Sequence, residues 1–418
     1  MRISYLFFTL ILLQFSTNCL AAYYDTLPRG VRAFVYKHVA TGKISSSFTG
    51  NQQEQDYNLK ISIDAKSLES LNDIFAEYLI SLRKLSQPAY DAFQLGEYEV
   101  DANAQVQVQG VGIAYGFSND LTAYLAFPYH RAEVNLNIER TQYNNNDQVR
   151  TLLETSIQND SGNIDSATAE IITGITNGLP DISGGAIQSV VTNYLGYKPI
   201  GSWSAQGMGD LEMGLMYNIF EASNSGMATT FGLTLPTGRT DDPDIIQDIA
   251  FGDGQFDVFS EIGGGITIPN SPLSFEASGR YTYQAPSSKT LRIPESSEYL
   301  LGFEKATFFE KLGDMVDLTF TSNYDFSSWI STSVSYLFNY TAKSIYESDY
   351  SDANQILSTD TEKNSHSGKF ELSFSTVELY KKKKFIMPFI ISSSVQKTIS
   401  GTNVPNYSRA DINLKLFF

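Results

Sequence analysis

The sequence predicts an all-β protein, a transmembrane antiparallel β-barrel of the outer-membrane type with about twelve strands. Three observations lead to this prediction. Segments of about ten residues alternate apolar and polar side chains, as barrel strands do. Short and long connections alternate between these segments. The chain also ends in such a segment, Asp411–Phe418, whose last residue is aromatic.

The first residues are typical of a secretory signal peptide. Met1 and Arg2 give a positive start, an apolar run follows, and small residues surround Ala21 and Ala22. We expect residues 1–22 to be removed and residues 23–418 to form a single barrel domain. The only cysteine, Cys19, lies in this leader, so the mature chain would hold no disulfide. Lipidation of Cys19 is the alternative, but Ser16 stands where a large aliphatic residue is wanted.

Composition excludes two classes of protein. The rest of the chain has no apolar run of the ~18 residues that a membrane helix needs. The formal net charge is −17, which argues against a nucleic-acid partner, since such proteins carry a basic face. Tyr and Phe are abundant (25 and 27 residues), and aromatic residues near strand ends are expected to form girdles at the membrane interfaces.

Twelve segments fit the alternating pattern of barrel strands. They are Arg29–Ala40, Ala102–Phe117, Leu121–Ile138, Met208–Phe220, Met227–Pro236, Gln255–Ile268, Phe275–Tyr283, Val316–Phe326, Trp329–Tyr340, Lys369–Tyr380, Phe385–Ile399 and Tyr407–Phe418. A barrel of fourteen strands is the alternative, with Glu295–Phe308 as a strand and a partner near Tyr57–Asp64.

The long connections predict which side of the membrane each loop occupies. Short turns on one side and long loops on the other are typical of bacterial outer-membrane barrels, and both termini then lie on the periplasmic side. The largest loop insertions are near residues 41–101 and 139–206. Within them, Ala65–Ala92 and Val149–Leu179 carry apolar residues at helical spacing, and Pro88 is expected to end the first helix. These helices either cover each other or fold into the barrel mouth.

The aromatic end of the chain predicts how the barrel is completed. Phe418 on an alternating last strand resembles the signal by which outer-membrane proteins are recognised for assembly. The last strand must pair with the first, because closure leaves no unpaired edge in lipid. We therefore expect a monomer in the bacterial outer membrane, with the membrane lipid, the barrel assembly machinery and a small-molecule solute as its partners.

The central part of the chain carries glycine-rich motifs. They are Gly207-x-Gly209-Asp210 with the following Tyr217, Leu235-Pro236-Thr237-Gly238, Asp241-Asp242-Pro243 and Gly252-x-Gly254-x-x-Asp257. In this order they resemble outer-membrane proteins labelled with the meta-pathway of phenol degradation, which are distantly similar to the long-chain fatty-acid outer-membrane transporters. The match covers residues 207–283, and Leu27–Phe34 resembles the start of such proteins. The resemblance implies a barrel and a role in uptake of hydrophobic or aromatic molecules, and it implies no catalytic residues.

Alternation predicts which charged residues face the lumen. The candidates for lining a transport route are Asp210, Glu212, Asp257, Glu261, Glu276, Arg280, Asp317, Lys369 and Glu371. Acids outnumber bases among them, so an open pore would favour cations or neutral solutes. The alternative is that these charges pair across a filled interior and hold the barrel together.

The sequence favours neither catalysis nor a cofactor. A phospholipase would need a histidine and a serine on the same side of a strand, but His366 and Ser367 are adjacent and would face opposite sides. The acidic residues in 241–253 could bind calcium, although a solvated acidic loop is the default interpretation. We expect no catalytic residues, no metal site and no cofactor.

The predicted function is an outer-membrane channel or transporter for passive uptake of small, hydrophobic or aromatic molecules. A non-conducting structural or adhesive surface barrel is the alternative, and an outer-membrane hydrolase is the third hypothesis. The sequence leaves open whether the pore is open, gated or plugged.

Overall fold

The computed structural model of the protein describes residues 25–71, 73–159, 174, 184–296 and 301–418. The predicted signal peptide and Cys19 lie outside these described residues, as does most of the second predicted helical segment beyond residue 159.

Strands make up most of the described chain. They are β1 (Arg32–Thr41), β2 (Ser46–Phe48), β3 (Glu54–Asp56), β4 (Asn58–Asp64), β5 (Gln94–Gly116), β6 (Leu121–Gln142), β7 (Trp203–Met208), β8 (Leu211–Ala222), β9 (Ser225–Leu235), β10 (Asp257–Thr267), β11 (Leu273–Gln284), β12 (Ser287–Arg292), β13 (Lys305–Lys311), β14 (Met315–Ser327), β15 (Ile330–Thr341), β16 (Ile345–Glu347), β17 (Lys363–Ser375), β18 (Phe389–Thr402), β19 (Val404–Asn406) and β20 (Ser408–Phe417). The helices are α1 (Ala65–Leu71), α2 (Asp73–Leu85), α3 (Gln87–Ala92), α4 (Asn146–Asn159), α5 (Gly184–Ser189), α6 (Ser351–Ser358) and α7 (Val377–Lys381), with a π-helical turn at Val190–Tyr194.

Twelve strands form a closed antiparallel barrel, in the order β1-β20-β18-β17-β15-β14-β11-β10-β9-β8-β6-β5 and back to β1. The last strand pairs with the first, with Phe417 opposite Ala33. Arg32 and Phe418 add two backbone hydrogen bonds, of 2.8 and 3.0 Å. Closure therefore pairs the backbone N–H and C=O groups of the first and last strands, and the predicted twelve-stranded barrel is confirmed. The role of Phe418 in assembly stays a prediction.

The fourteen-strand alternative is wrong. Two extra strands, β4 and β7, belong to the large sheet, but β4 extends from β5 and β7 from β6 outside the closed ring. The segment proposed as a further wall strand contributes β13, which pairs with β12 and β16 in a separate three-stranded sheet. This sheet belongs to the long connections that follow β11 and β15.

One predicted strand needs a correction. The segment Lys369–Tyr380 begins earlier and ends earlier, as β17, and α7 follows it. Thr376 ends the strand because its hydroxyl is bound to the connection that follows, donating to the carbonyl of Met387 at 2.7 Å. The polar residues before Lys369 could extend β17 because its partner β15 continues beside them to Thr341.

The outer face of the barrel changes polarity along its strands. On β5, the outward side chains of Val111, Ile113 and Tyr115 are exposed and apolar. Higher up the same strand, Gln105 to Gln109 place amide side chains outward, and the buried residues between them are valines. The apolar residues thus move from the outer face to the inner face. The lower level is the lipid belt, and the upper level extends the barrel beyond the membrane on the side of the long loops.

Residues 57–102 and 136–201 form a second compact unit. In it, Leu68, Leu79, Leu82 and Ala89 pack with Val149 and Leu153 of α4 in one buried cluster. These helices cover each other's apolar faces, which is one of the two arrangements that their pattern predicts. Pro88 lies in the first turn of α3, so the helical segment breaks before the proline and restarts with Ser86 as its cap.

The helices of the described residues include none that is both long enough and apolar enough to cross a membrane.

Candidate functional site: a loop clamped inside the barrel

The wall of the barrel has a break at Gly209 and Asp210. Two strands, β7 and β8, run in succession alongside β6, and these two residues separate them. Gly209 is needed here because a Cβ at this position would lie 2.5 Å from Nε2 of His130. The break separates Asp210 from the regular hydrogen-bond ladder. The connection between β9 and β10, residues 236–256, binds to the Asp210 carboxylate.

Asp210 holds both ends of this connection, which we call the clamped loop. Its Oδ1 accepts a hydrogen bond of 2.8 Å from the backbone N–H of Gly238, and its Oδ2 accepts one of 3.3 Å from Asp253. Gly252 and Gly238 lie so close to this carboxylate that a Cβ at either position would overlap it. The motifs that contain these glycines are far apart in sequence, but they meet at the carboxylate of Asp210.

An ion pair holds the loop in its folded form. Nη2 of Arg239 lies 2.6 Å from both carboxylate oxygens of Asp248, whose side chain is only 2% exposed. Nη1 of Arg239 donates to the carbonyl of Ile249 at 2.9 Å. The backbone N–H of Phe251 then donates to the carbonyl of Arg239 at 2.7 Å. The loop is thus closed on itself by a largely buried charge.

The apolar side of the clamped loop packs inside the barrel. Ile249 and Phe251 join a buried cluster with inward-facing side chains of three neighbouring strands: Val39 of β1, Ala104, Val106 and Val108 of β5, and Ala132 and Val134 of β6. The Phe251 ring stacks on His130, with ring centroids 5.3 Å apart. The default interpretation of this segment as a solvated acidic loop is wrong, because its apolar residues replace solvent on the inner wall above the lipid belt.

Further ion pairs tie the acidic tip of the loop to the β12–β13 hairpin. Asp241 pairs with Lys289. Asp244 accepts from Nη2 of Arg292 at 2.6 Å and from Nζ of Lys305 at 2.9 Å. Hydrogen bonds from Lys305 and Arg292 hold the pKa of Asp244 below its usual range. The acids of the tip therefore have basic partners, and the described residues include no group of acids, histidines or cysteines arranged to hold a metal ion.

These pairs predict acid-sensitive attachment of the loop tip. Because the pKa of folded Asp244 lies below its unfolded value of about 4, the stabilisation is present above pH 4 and is lost as the pH falls further. We expect a nitroxide label at Ser288→Cys, in a Cys19→Ser background, to become more mobile between pH 7 and pH 3. In Asp244→Asn the label should already be more mobile at pH 7 than in the parent, because, of these pairs, only the one between Asp241 and Lys289 remains. Equal mobility of the label at both pH values in the parent would contradict the attachment.

Below the loop, two aromatic rings lie flat on the inner wall. Four residues stand side by side on adjacent strands in the order Tyr124, Gly214, Gly232 and Phe259. A Cβ on Gly214 would lie 2.7 Å from the ring of Tyr124, and one on Gly232 would overlap the ring of Phe259. The glycines leave room for the rings, so these aromatic side chains cover the wall at this level.

A buried ion pair completes this part of the wall. Nη2 of Arg280 lies 2.9 Å from Oε2 of Glu212, and the two side chains are 9% and 12% exposed. The guanidinium carbon lies 3.6 Å from the centroid of the Phe259 ring, and the hydroxyl of Tyr124 donates to Glu212 at 2.8 Å. A guanidinium is thus held between a carboxylate and an aromatic face, both of which favour a cation.

The structure places the other predicted lumen residues on the inner face as well. Lys369 and Glu371 pair at 2.5 Å, Glu276 accepts from Asn323 at 3.2 Å, and Asp317 accepts from Asn339. Glu261 stands opposite Arg280 in the register of β10 and β11. Asp257 is 3% exposed at the start of β10. Whether these residues line a transport route stays a prediction.

Sequence reasoning missed the basic residues on the opposite wall. Lys37 and Lys415 are buried on the inner face, and Arg409 lies 3.3 Å from Asp411. The alternation of the last strand indicates that these charged residues face the lumen, since Asp411 and Lys415 lie on its polar face. With these residues included, the lumen carries a more even balance of charge than the predicted set suggested.

His366 and Ser367 lie on opposite sides of β17, as alternation predicts. Ser367 is 2% exposed on the inner face. Nδ1 of His366 instead lies 2.6 Å from the hydroxyl of Tyr336, whose side chain is exposed on the outside of the barrel. The two side chains therefore cannot act together as nucleophile and base.

Comparison with solved structures decides the fold. The COG4313 outer membrane channel from Pseudomonas putida F1 is similar with a TM-score of 0.52 at 10% sequence identity, over 94% of this chain and 98% of that chain. The fold is that of an outer-membrane β-barrel. Together with the lipid belt, it places the protein in the bacterial outer membrane.

Two other similarities are weaker. The Ralstonia pickettii toluene transporter TbuX gives a TM-score of 0.35 at 10% identity, over 94% of this chain and 90% of that chain. A Pseudomonas aeruginosa FadL homologue gives 0.33 at 6% identity, over 95% and 92% of the two chains. These scores support no conclusion about this chain. No protein-family model and no curated protein matches its sequence.

Proposed function

We propose that this protein is an outer-membrane channel for passive passage of small molecules, gated by the clamped loop. The observation that carries the proposal is the folding of residues 236–256 into the barrel against an apolar inner wall. A barrel with a purely structural role needs no such loop, because its strands already satisfy one another's backbone hydrogen bonds. The loop is instead held at one wall carboxylate and by ion pairs, which can be released without unfolding the barrel.

We further propose that the solutes are small hydrophobic or aromatic molecules. Along the inner wall, Phe251 of the clamped loop is buried beside His130, where its ring becomes accessible only when the loop moves, and Trp203 lies near Arg239. Deeper in the lumen, the half-buried ring of Tyr124 lies flat on the wall, while Arg280 covers the buried ring of Phe259. Aromatic faces of this kind favour flat apolar solutes, while the paired charges of the lumen would orient any polar group that a solute carries.

Solute preference can be measured through the channel current. If the aromatic wall contacts the solute, benzyl alcohol should block single-channel current in a planar bilayer at lower concentration than glycerol, which has hydroxyl groups but no ring. Tyr124→Leu should reduce the difference between the two solutes, while Phe231→Leu, a change on the outer face, should leave it unaltered. Equal block by both alcohols would contradict the proposed solute class without contradicting conduction.

A further inference from the structure

Three carboxylates at the outer end of the lumen lack the cationic partner that other buried acids of this barrel have. Glu212 is paired with Arg280, Glu371 with Lys369, and Asp248 with Arg239. By contrast, the described residues place no lysine, arginine or histidine nitrogen within 4.0 Å of the carboxylates of Asp210, Asp253 or Asp257.

These three acids are close to one another. The backbone N–H of Asp253 donates to Asp210, so the two residues are adjacent. The charges of both act on the carboxyl group of Asp257, whereas Arg280 and Lys311 act on it only from beyond ion-pair distance. Lys289, which is paired with Asp241, likewise acts on Asp253 only from beyond that distance. Like charges in a low-dielectric site repel strongly unless a counter-charge is present. The group therefore favours a positively charged ligand.

A second observation points to a ligand at the same place. Gln255 is 1% exposed, and neither the oxygen nor the nitrogen of its side-chain amide has a hydrogen-bond partner among the described residues. Oδ1 of Asp257, which is 3% exposed, is also without one. Gln255 lies two residues before Asp257, the first residue of β10, and the intervening Phe256 is exposed. A donor-rich group would satisfy the amide oxygen of Gln255 and the carboxylate oxygen of Asp257.

We propose that Asp210, Asp253, Gln255 and Asp257 form a binding station for an organic cation, an ammonium or guanidinium group carried by the solute. This inference deepens the proposed channel function, on which it rests for the passage of the solute. An ammonium group has three N–H donors and a full positive charge, which match the free carboxylate oxygen and the amide oxygen. The same wall already holds a guanidinium in this way, that of Arg280 between Glu212 and Phe259.

The station lies where the clamped loop is attached, which links binding to gating. Asp210 and Asp253 belong to the hydrogen bonds that hold the loop ends, and Gln255 and Asp257 follow directly along the chain. Since Gln255 and Asp257 are almost inaccessible in this conformation, a solute reaches them only when the loop moves. A cation that binds there competes with the backbone N–H groups for Asp210, and so favours the released loop.

The test is direct binding to the refolded full-length barrel, measured by calorimetry in detergent with benzylamine, which is an ammonium ion at pH 7. Benzyl alcohol and benzoate provide neutral and anionic probes of the same ring. We expect benzylamine to bind at least about tenfold more tightly than either. Asp257→Asn should weaken it by about tenfold, because the amide oxygen still accepts a hydrogen bond but the opposing negative charge is lost. Gln255→Leu should weaken it less. Glu133→Gln, an equal charge change on the outer surface, should leave binding unaltered.

The outcomes separate this inference from the channel function. Equal affinity for benzylamine and benzyl alcohol, or affinity unchanged in a folded Asp257→Asn barrel, would overturn the binding station even if the barrel conducts. Binding that depends on Asp257 in a barrel that conducts no current would support the station and contradict the channel. Heat-shifted gel mobility of each variant verifies that its barrel has folded.

Discussion

Replacing Arg239 with alanine is expected to release the clamped loop from the interior of the barrel. The change leaves the carboxylate of Asp248, 2% exposed, without its partner. Removing one member of a buried ion pair costs about 3–5 kcal/mol, and we expect about 3 because the Arg239 side chain is 31% exposed. At 1.4 kcal/mol per factor of ten, amide hydrogen exchange of Phe251 and Gly252 should accelerate by about a hundredfold.

A second arginine provides the matched control. Arg131 pairs with Glu133 on the outer surface, and both side chains are largely exposed. Such a pair contributes about 0–1 kcal/mol, so Arg131→Ala should leave exchange in the loop within a few-fold of the parent. If exchange in the loop of Arg239→Ala were also within a few-fold of the parent, the ion pair between Arg239 and Asp248 would not be what holds the loop.

Replacing Gly232 with alanine should destabilise the whole barrel. The added Cβ would overlap the ring of Phe259 and lie 2.5 Å from the backbone carbonyl of Met213, which cannot move without breaking the ladder. Overpacking of this kind costs about 1–3 kcal/mol, and we expect the upper part of this range because one of the clashing atoms is backbone. The measurement is the urea midpoint of refolding in detergent or lipid, followed by heat-shifted gel mobility.

Gly279→Ala is the control for this effect. It lies on β11, two strands away from Gly232, and its added Cβ would meet only a terminal methyl carbon of Leu318, at 3.2 Å. That methyl group can rotate away, so the midpoint should change little. Equal midpoints for the two alanine variants would contradict the flat arrangement of the Phe259 ring on Gly232.

The wall of the barrel could be predicted from the sequence because period-two alternation states directly which side chains meet lipid. Ile262 and Ile266 alternate with inward Phe259 and Glu261, and the register of β10 follows from that. The extension of the barrel beyond the membrane was less evident. The sequence indicates this extension only on β5, where the apolar side chains change from the inner face, at Val108, to the outer face, at Val111.

The clamped loop could not be predicted from its own composition. Asp241, Asp244 and Asp248 suggest a solvated segment, and their partners Lys289, Arg292 and Arg239 lie in other elements or at the loop's own start. Ion pairs between residues distant in sequence carry no periodic signal. The glycine motifs did mark the right positions, but only the structure explains why Gly238 and Gly252 are glycines: both touch the carboxylate of Asp210.

Single-channel conductance tests the central claim most directly, that this barrel is a channel whose clamped loop controls passage. Purified, refolded parent protein and Arg239→Ala would be compared in planar bilayers under the same salt and voltage. We predict discrete current steps for the parent and larger or longer-lived steps for the variant. Silence from both, with folded barrels verified by heat-shifted gel mobility, would contradict the account and favour a non-conducting structural barrel.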